Sequence, residues 1–254
     1  MPYVQARGIR FHYEEQGLGP PLVCLPGALG SARTDFGPQL ADLAGQFRVI
    51  APDPRGYGRS RPPQRDFPLD FLQRDADDMA ALMAALGAQA FFAAGWSDGA
   101  TTAVLMALTH PERVNKLVIW GGNSYLSAED VERVEKVRYL SSWSSRMRQS
   151  LEAVYGDSLQ ELWACYCDGL QALLQAGGEI CRQRLARISC PTLILHGEQD
   201  PLVPGFHPRI FAQQIPNAQS YSFPTGRHNI HLAHQQEFNR VVLDFLGGAQ
   251  PSPQ

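Results

Sequence analysis

The sequence predicts an α/β fold, a mostly parallel sheet with helices on both faces. Short continuous apolar runs recur along the chain, helix-period segments separate them, and one long stretch carries helical patterning alone. The runs are Pro21-Leu22-Val23-Cys24-Leu25, Phe47 to Ala51, Ala90 to Ala94, Leu117 to Trp120 and Thr192 to Leu195, each ending at a Gly, Pro or His-Gly loop. Runs of this kind form strands buried on both faces. Leu72 to Leu86 and Ala100 to Thr109 have helical period, and strand–helix alternation builds a parallel sheet. Near the start, Ile9, Phe11 and Tyr13 alternate with His12 and Glu14, the pattern of a half-buried strand. Ser220 to Phe223 reads as the last strand.

The alternation breaks between Asn123 and Ser189, a stretch that holds Tyr139, Trp143, Tyr155, Trp163 and Tyr166 but no buried strand. It is expected to be a helical insertion. It could shield core surface or cap a site at the carboxyl ends of the strands, where open α/β sheets bind ligands. The expected organisation is a core of 1–122 and 190–250, a helical cap of 123–189 and a frayed Pro-rich tail, 251–254. A length of 254 residues suits one core with one insertion.

Composition narrows the function. Hydrophobic residues make up 44% and charged residues 19%, with a net charge of −3, as in ordinary globular proteins. No Lys/Arg run suggests a nucleic-acid partner. No apolar stretch approaches the roughly 20 residues of a membrane span. A polar pattern begins at once with Tyr3-Val4-Gln5-Ala6, so no secretory leader is expected and the cytoplasm is the default compartment. The five cysteines lack zinc-ligand or disulfide-framework spacing. Neither metal nor cofactor is expected, and a monomer or weak homo-oligomer is.

Gly95-Trp96-Ser97-Asp98-Gly99 matches G-x-S-x-G, after an apolar run and before a helix. A serine hydroxyl is a poor nucleophile unless a base takes its proton and the oxygen stands clear of the sheet. A sharp strand-to-helix turn provides that exposure. The alternative is a Ser/Gly turn that caps a helix. An acid and then a base should follow in the chain. Asp200 lies in His196-Gly197-Glu198-Gln199-Asp200-Pro201, beyond a strand, with Glu198 as its rival. Its role would be to hold the imidazole tautomer; otherwise it caps the next helix. His228 lies on the loop after the last strand, and His231, three residues on, is expected to pack or cap.

The tetrahedral oxyanion needs N–H donors. By position after the nucleophile, Asp98 supplies one. The turn Pro26-Gly27-Ala28-Leu29-Gly30 supplies the other, from Ala28 or from Leu29. The loop Asp53 to Ser60 reads as a brace for the site. Most hydrolases with this elbow carry a small or apolar residue after the serine. A carboxylate there requires a cationic partner or good hydrogen bonds. An ammonium one carbon from the substrate carbonyl would satisfy Asp98; a bond to cap or loop residues would also.

Together these pieces resemble the α/β-hydrolase superfamily. Longer strings, Thr34 to Leu40, Asp53 to Pro63, Gly95 to Gly99, Ser142-Trp143-Ser144, Glu152 to Gly156 and Gly226 to Leu232, look like the biphenyl hydrolase-like, or valacyclovir hydrolase, family. That resemblance implies hydrolysis of α-amino acid esters. It assigns the nucleophile, acid and base to Ser97, Asp200 and His228, and the ammonium-binding carboxylate to Asp98. Ala28 departs from the larger thioether residue of vertebrate members, which reshapes the implied acyl pocket. The expected function is therefore a serine esterase acting on small esters. A carbon–carbon bond hydrolase of the meta-cleavage type and a non-catalytic ligand-binding homologue are the alternatives.

Overall fold

Within each buried strand, alternate side chains cover opposite layers. In a computed structural model, which describes residues 2–248, strand β3 (Pro21–Leu25) sends Leu22 and Cys24 to one core and Val23 and Leu25 to the other. The first layer contains Phe36 of α1 (Ala32–Asp42) and Phe238 of α9 (Gln235–Gly247). The second contains Met79 of α2 (Phe71–Ala85) and Val104 of α3 (Asp98–Thr109). Fully burying one such side chain stabilises by about 1.5–3 kcal/mol. The same alternation recurs in β6 (Val114–Trp120), where Leu117 and Ile119 oppose Val118 and Trp120.

The remaining strands are β1 (Tyr3–Ala6), β2 (Ile9–Gln16), β4 (Arg48–Pro52), β5 (Phe91–Trp96), β7 (Thr192–Gly197) and β8 (Ala218–Phe223). Their order is β1-β2-β4-β3-β5-β6-β7-β8. The first two pairings are antiparallel and all others parallel. Strands β3, β5, β6, β7 and β8 thus end at one edge, and the loops holding Ala28, Ser97, Asn123, Asp200 and His228 gather there.

Strand β1 is absent from the sequence reading. It has four residues, pairs only with β2, and buries Ala6 alone, so it lacks the apolar run that marks the others. The tail, 251–254, lies outside the described residues. Cys24, Cys167, Cys181 and Cys190 are buried and Cys165 is exposed, all as free thiols. Among the described residues no helix is long and apolar enough to cross a membrane.

Between β6 and β7 the chain forms α4 (Ala128–Glu135), α5 (Ser145–Tyr155) and α6 (Leu159–Gln175), with short 3-10 turns between and after them. An isolated bridge between Tyr125 and Glu179 closes the base of this insertion. Inside, Trp163 stacks on Tyr166 and meets the edge of Trp143. Helices α7 (Phe206–Gln214) and α8 (Ile230–Ala233) complete the chain.

Candidate active site

Ser97 joins β5 to α3 with φ 57° and ψ −124°. A non-glycine residue there stores about 1–3 kcal/mol of strain. Its N–H is held by the Trp120 carbonyl at 2.9 Å. The flanking glycines have a steric cause. A Cβ on Gly95 would strike the Gly99 carbonyl, and one on Gly99 would strike that of Leu25. The first bond inside α3 runs from the Ala100 N–H to the Ser97 carbonyl at 2.9 Å. The Asp98 N–H, one residue beyond the serine, has no intrahelical partner.

Asp200 follows β7 and is buried, whereas Glu198 is exposed. One carboxylate oxygen accepts the N–H groups of Leu202 and Val203, at 2.8 and 3.0 Å. The other accepts the His228 Nδ1–H at 2.8 Å. Burial raises the carboxyl, but the charge on the His228 ring and these hydrogen bonds outweigh it and hold Asp200 below the usual carboxylate range. In the neutral ring, with Nδ1 committed as donor, Nε2 of His228 is left as an acceptor. Trp96 fixes the loop, its Nε1–H donating to the His228 carbonyl at 2.9 Å.

Ser97 and His228 line one cavity of about 90 Å³ together with Ala28 and Asp98. No hydrogen bond joins the Ser97 hydroxyl to the imidazole among the described residues. Such bonds tighten on substrate binding in many hydrolases. His231 stands elsewhere. It is fully buried, accepts the Trp120 Nε1–H at Nδ1 and donates from Nε2 to the Asp35 carbonyl, both at 3.0 Å. Burial pushes its pKa down to about 3, so it packs as a neutral ring.

The turn after β3 closes with Gly30 N–H on the Gly27 carbonyl at 3.0 Å. Leu29 takes φ 62° at its third position, the signature of a type II turn. Ala28 lines the cavity, whereas the Leu29 side chain is buried in the core. Two groups to which the sequence assigns no role hold this turn. The buried Asp35 carboxylate accepts the Gly27 N–H at 3.0 Å and the Thr34 hydroxyl at 2.7 Å; burial pushes its pKa up to about 7. From the insertion, Tyr155 donates its hydroxyl to the Leu29 carbonyl at 2.7 Å and accepts the Gly58 N–H at 3.0 Å. The loop Asp53 to Ser60 is braced in turn. Asp53 accepts the N–H groups of Ala32 and Arg59 and binds His12 Nδ1.

Asp98 is partly exposed to the cavity and otherwise enclosed by protein. Burial pushes its carboxyl up to about 6, against the Tyr166 hydrogen bond and the charge of Arg65. The Tyr166 hydroxyl, on α6, donates to one carboxylate oxygen at 2.8 Å. Arg65 is committed to Asp75 by two bonds of 2.7 and 2.6 Å. The sequence signal for Tyr166 was only an aromatic on a helix, which reads equally as core.

A further buried polar group was not foreseen. Asn123 donates from Nδ2 to Asp130 at 2.9 Å, and His207 Nε2 donates to the same oxygen at 2.9 Å. It ties α4 of the insertion to α7 of the core. Among the described residues no cluster of three His, Cys, Asp or Glu side chains could hold a metal ion.

A half-buried serine that faces the cavity from a strained strand–helix elbow, on the same cavity as a His–Asp pair, defines a hydrolase-type site. The family model for the alpha/beta hydrolase fold matches residues 20–164 and 136–235, and the chain belongs to that family and, within it, to the serine hydrolases of the BPHL kind. It is 46% identical to serine hydrolase BPHL of Homo sapiens over 247 residues, 96% of this chain and 85% of that protein. The Mus musculus protein matches equally. A putative carbamate hydrolase RutD of Caulobacter sp. (strain K31) is 30% identical over 250 residues, 89% of this chain and 90% of that one. A solved meta-cleavage product hydrolase from Pseudomonas fluorescens IP01 superposes with a TM-score of 0.84 at 23% identity, over 98% of both chains, a likeness of fold alone.

Proposed function

We propose that the chain is a serine esterase for small α-amino acid esters. The carrying observation is that a carboxylate, Asp98, lines the same cavity as the Ser97 hydroxyl and the His228 ring. In this mechanism Ser97 Oγ attacks the ester carbonyl while His228 Nε2 takes its proton. Asp200 holds the ring by its Nδ1–H and stabilises the imidazolium. The oxyanion meets the N–H of Asp98 and an N–H of the turn, which we assign to Ala28 because Ala28 lines the cavity. Loss of one such donor costs about 2.7–4 kcal/mol of transition-state stabilisation. His228 then protonates the leaving alcohol, and water cleaves the acyl-enzyme by the same route.

The substrate ammonium sits against Asp98. Ionised and desolvated, this carboxylate gains from a cation and repels a dianion, which argues against carbon–carbon hydrolysis of ring-fission products. Residues 123–189 act as a cap over a core of 1–122 and 190–250, and their Trp143 and Trp163 rings line the cavity where a flat alcohol fits. The reading is of a cytoplasmic protein, monomeric or weakly oligomeric, acting on small molecules without a cofactor.

The test compares kcat/KM for an aminoacyl ester with that for an acetyl ester of the same alcohol. Asp98→Asn keeps the backbone N–H but loses the charge. The aminoacyl-to-acetyl ratio should fall by about tenfold to a hundredfold, the worth of a hydrogen bond to a charged group. An unchanged ratio would reject the ammonium role.

A further inference from the structure

Burying an ammonium group leaves three N–H donors to satisfy, and an unpaired donor away from water is costly. Asp98 is a limited host. One of its oxygens already accepts the Tyr166 hydroxyl. If Asp98 binds the substrate ammonium as proposed above, a second acceptor in the cavity is called for.

Asn123, in the loop after β6, is bonded to the next turn of the helix that begins at Asp98. Its backbone is locked to Thr101, whose hydroxyl accepts the Asn123 N–H at 3.2 Å and donates to the Asn123 carbonyl at 3.1 Å. Thr101 lies three residues beyond Asp98 on α3, so the two share a helix face. Asp98, Thr101 and Asn123 all line the cavity.

The orientation of the Asn123 amide is fixed by its neighbours. Asp130 accepts four hydrogen bonds: from Asn123 and His207 on one oxygen, and from the Ser127 N–H and hydroxyl on the other, at 2.7 and 2.6 Å. An ionised carboxylate takes donors only, so the amide must turn Nδ2 toward it. His207 does not reverse the arrangement: its Nδ1 accepts the Ser124 N–H at 3.3 Å, so its Nε2, 3.1 Å from Asn123 Nδ2, carries a proton and both donors converge on the one Asp130 oxygen, whereas a flipped amide would set Oδ1 against that oxygen at 2.9 Å. The Asn123 Oδ1 therefore has no partner among the described hydrogen bonds. It is also not among the buried orphan atoms. It is an open acceptor on a rigid mount.

We infer that Asn123 Oδ1 is a specificity determinant, the second acceptor for the substrate ammonium beside Asp98. The Asp130–His207 pair acts as a positioning device that keeps this acceptor, and not the amide N–H, turned to the substrate. The residue thereby selects for N–H donors, where Asp98 selects for charge. The two can be separated chemically, because N-methylation removes donors and keeps the charge.

The experiment uses the intact protein and esters of one alcohol whose acyl amine is free, monomethylated, dimethylated or trimethylated. Each kcat/KM is divided by that of the matching acetyl ester. In the wild type the ratio should fall by about tenfold where the donors drop from two to one, from monomethyl to dimethyl. In Asn123→Leu that step should shrink to less than about twofold, and the free-amine ratio should drop by about tenfold. Circular dichroism and thermal melting verify folding. A folded Asn123→Leu with the wild-type ratio and the wild-type step overturns the inference. If the variant does not fold, the wild-type series decides: equal ratios for monomethyl and dimethyl substrates overturn it. Selective loss in Asp98→Asn with no effect in Asn123→Leu defeats this inference alone. Loss of selectivity in neither variant defeats the ammonium reading as well.

Discussion

In the sheet core, each strand that ends at the upper edge delivers its residue by backbone rules. Ser97 stands out because a strand must turn sharply into a helix. Asp200 is fixed by two N–H groups of its own loop. In the insertion, α5 and α6 reach the same site through side-chain hydroxyls, Tyr155 on the Leu29 carbonyl and Tyr166 on Asp98. On the proposed reading the core assembles the reacting atoms, and the insertion tunes the pocket around them. Substitutions of Ser97, Asp200 or His228 in the first region should reduce every ester alike, whereas Asp98 on α3 works with the insertion in choosing the ester. Substitutions in the second region should change which ester is preferred.

The largest effect tests the core half of that contrast. Ser97→Ala should lower kcat by about 10⁴-fold or more on aminoacyl and acetyl esters together, as loss of a nucleophile does in other serine hydrolases. Steady-state rates on both substrates, above the buffer rate, measure it. A loss confined to one class would break the contrast.

The next effect sharpens it. On the proposed reading Asp98 would bind an ammonium only when ionised, and its carboxyl is pushed up to about 6 by burial. The aminoacyl-to-acetyl ratio of kcat/KM should therefore rise as pH increases through about 6, with titration of shared groups cancelling in the ratio. Tyr166→Phe removes a donor to the carboxylate, so protonation becomes easier and the rise should move to higher pH. A pH series on both proteins reads it; an unmoved midpoint would detach the insertion from substrate choice.

The smallest effect concerns stability. Tyr155→Phe leaves the Gly58 N–H and the Leu29 carbonyl without their partner. Urea unfolding should register a loss of about 1–3 kcal/mol, the desolvation penalty of orphaned groups. A neutral result would mean that the hydroxyl does not brace the turn.

The same contrast explains what the sequence made legible. Buried parallel strands announce themselves as apolar runs, so β3 through β7 and the loops at their ends can be read from local pattern, whereas β8 buries only Phe223 and is legible only over Ser220 to Phe223. The elbow is legible because Gly95 and Gly99 are forced by close backbone approach. Strand β1 is not, since an edge strand of four residues carries no period long enough to recognise. Tyr166, Asn123 and Asp35 escape for another reason. Their roles rest on contacts across the fold, Tyr166 meeting a residue 68 positions away, and no local pattern records which face of a helix a distant carboxylate will find. Asp35 looks like any acidic residue in a first helical turn, and its hold on Gly27 emerges only when β3 and α1 pack together.

The central claim is a covalent intermediate on one serine. Rapid acid quenching during turnover of an α-amino acid ester, followed by proteolysis and mass spectrometry, tests it most directly. The account predicts an aminoacyl adduct on the peptide that contains Ser97, and none in Ser97→Ala. Full turnover with the adduct on another residue, or undiminished turnover in Ser97→Ala, would contradict it.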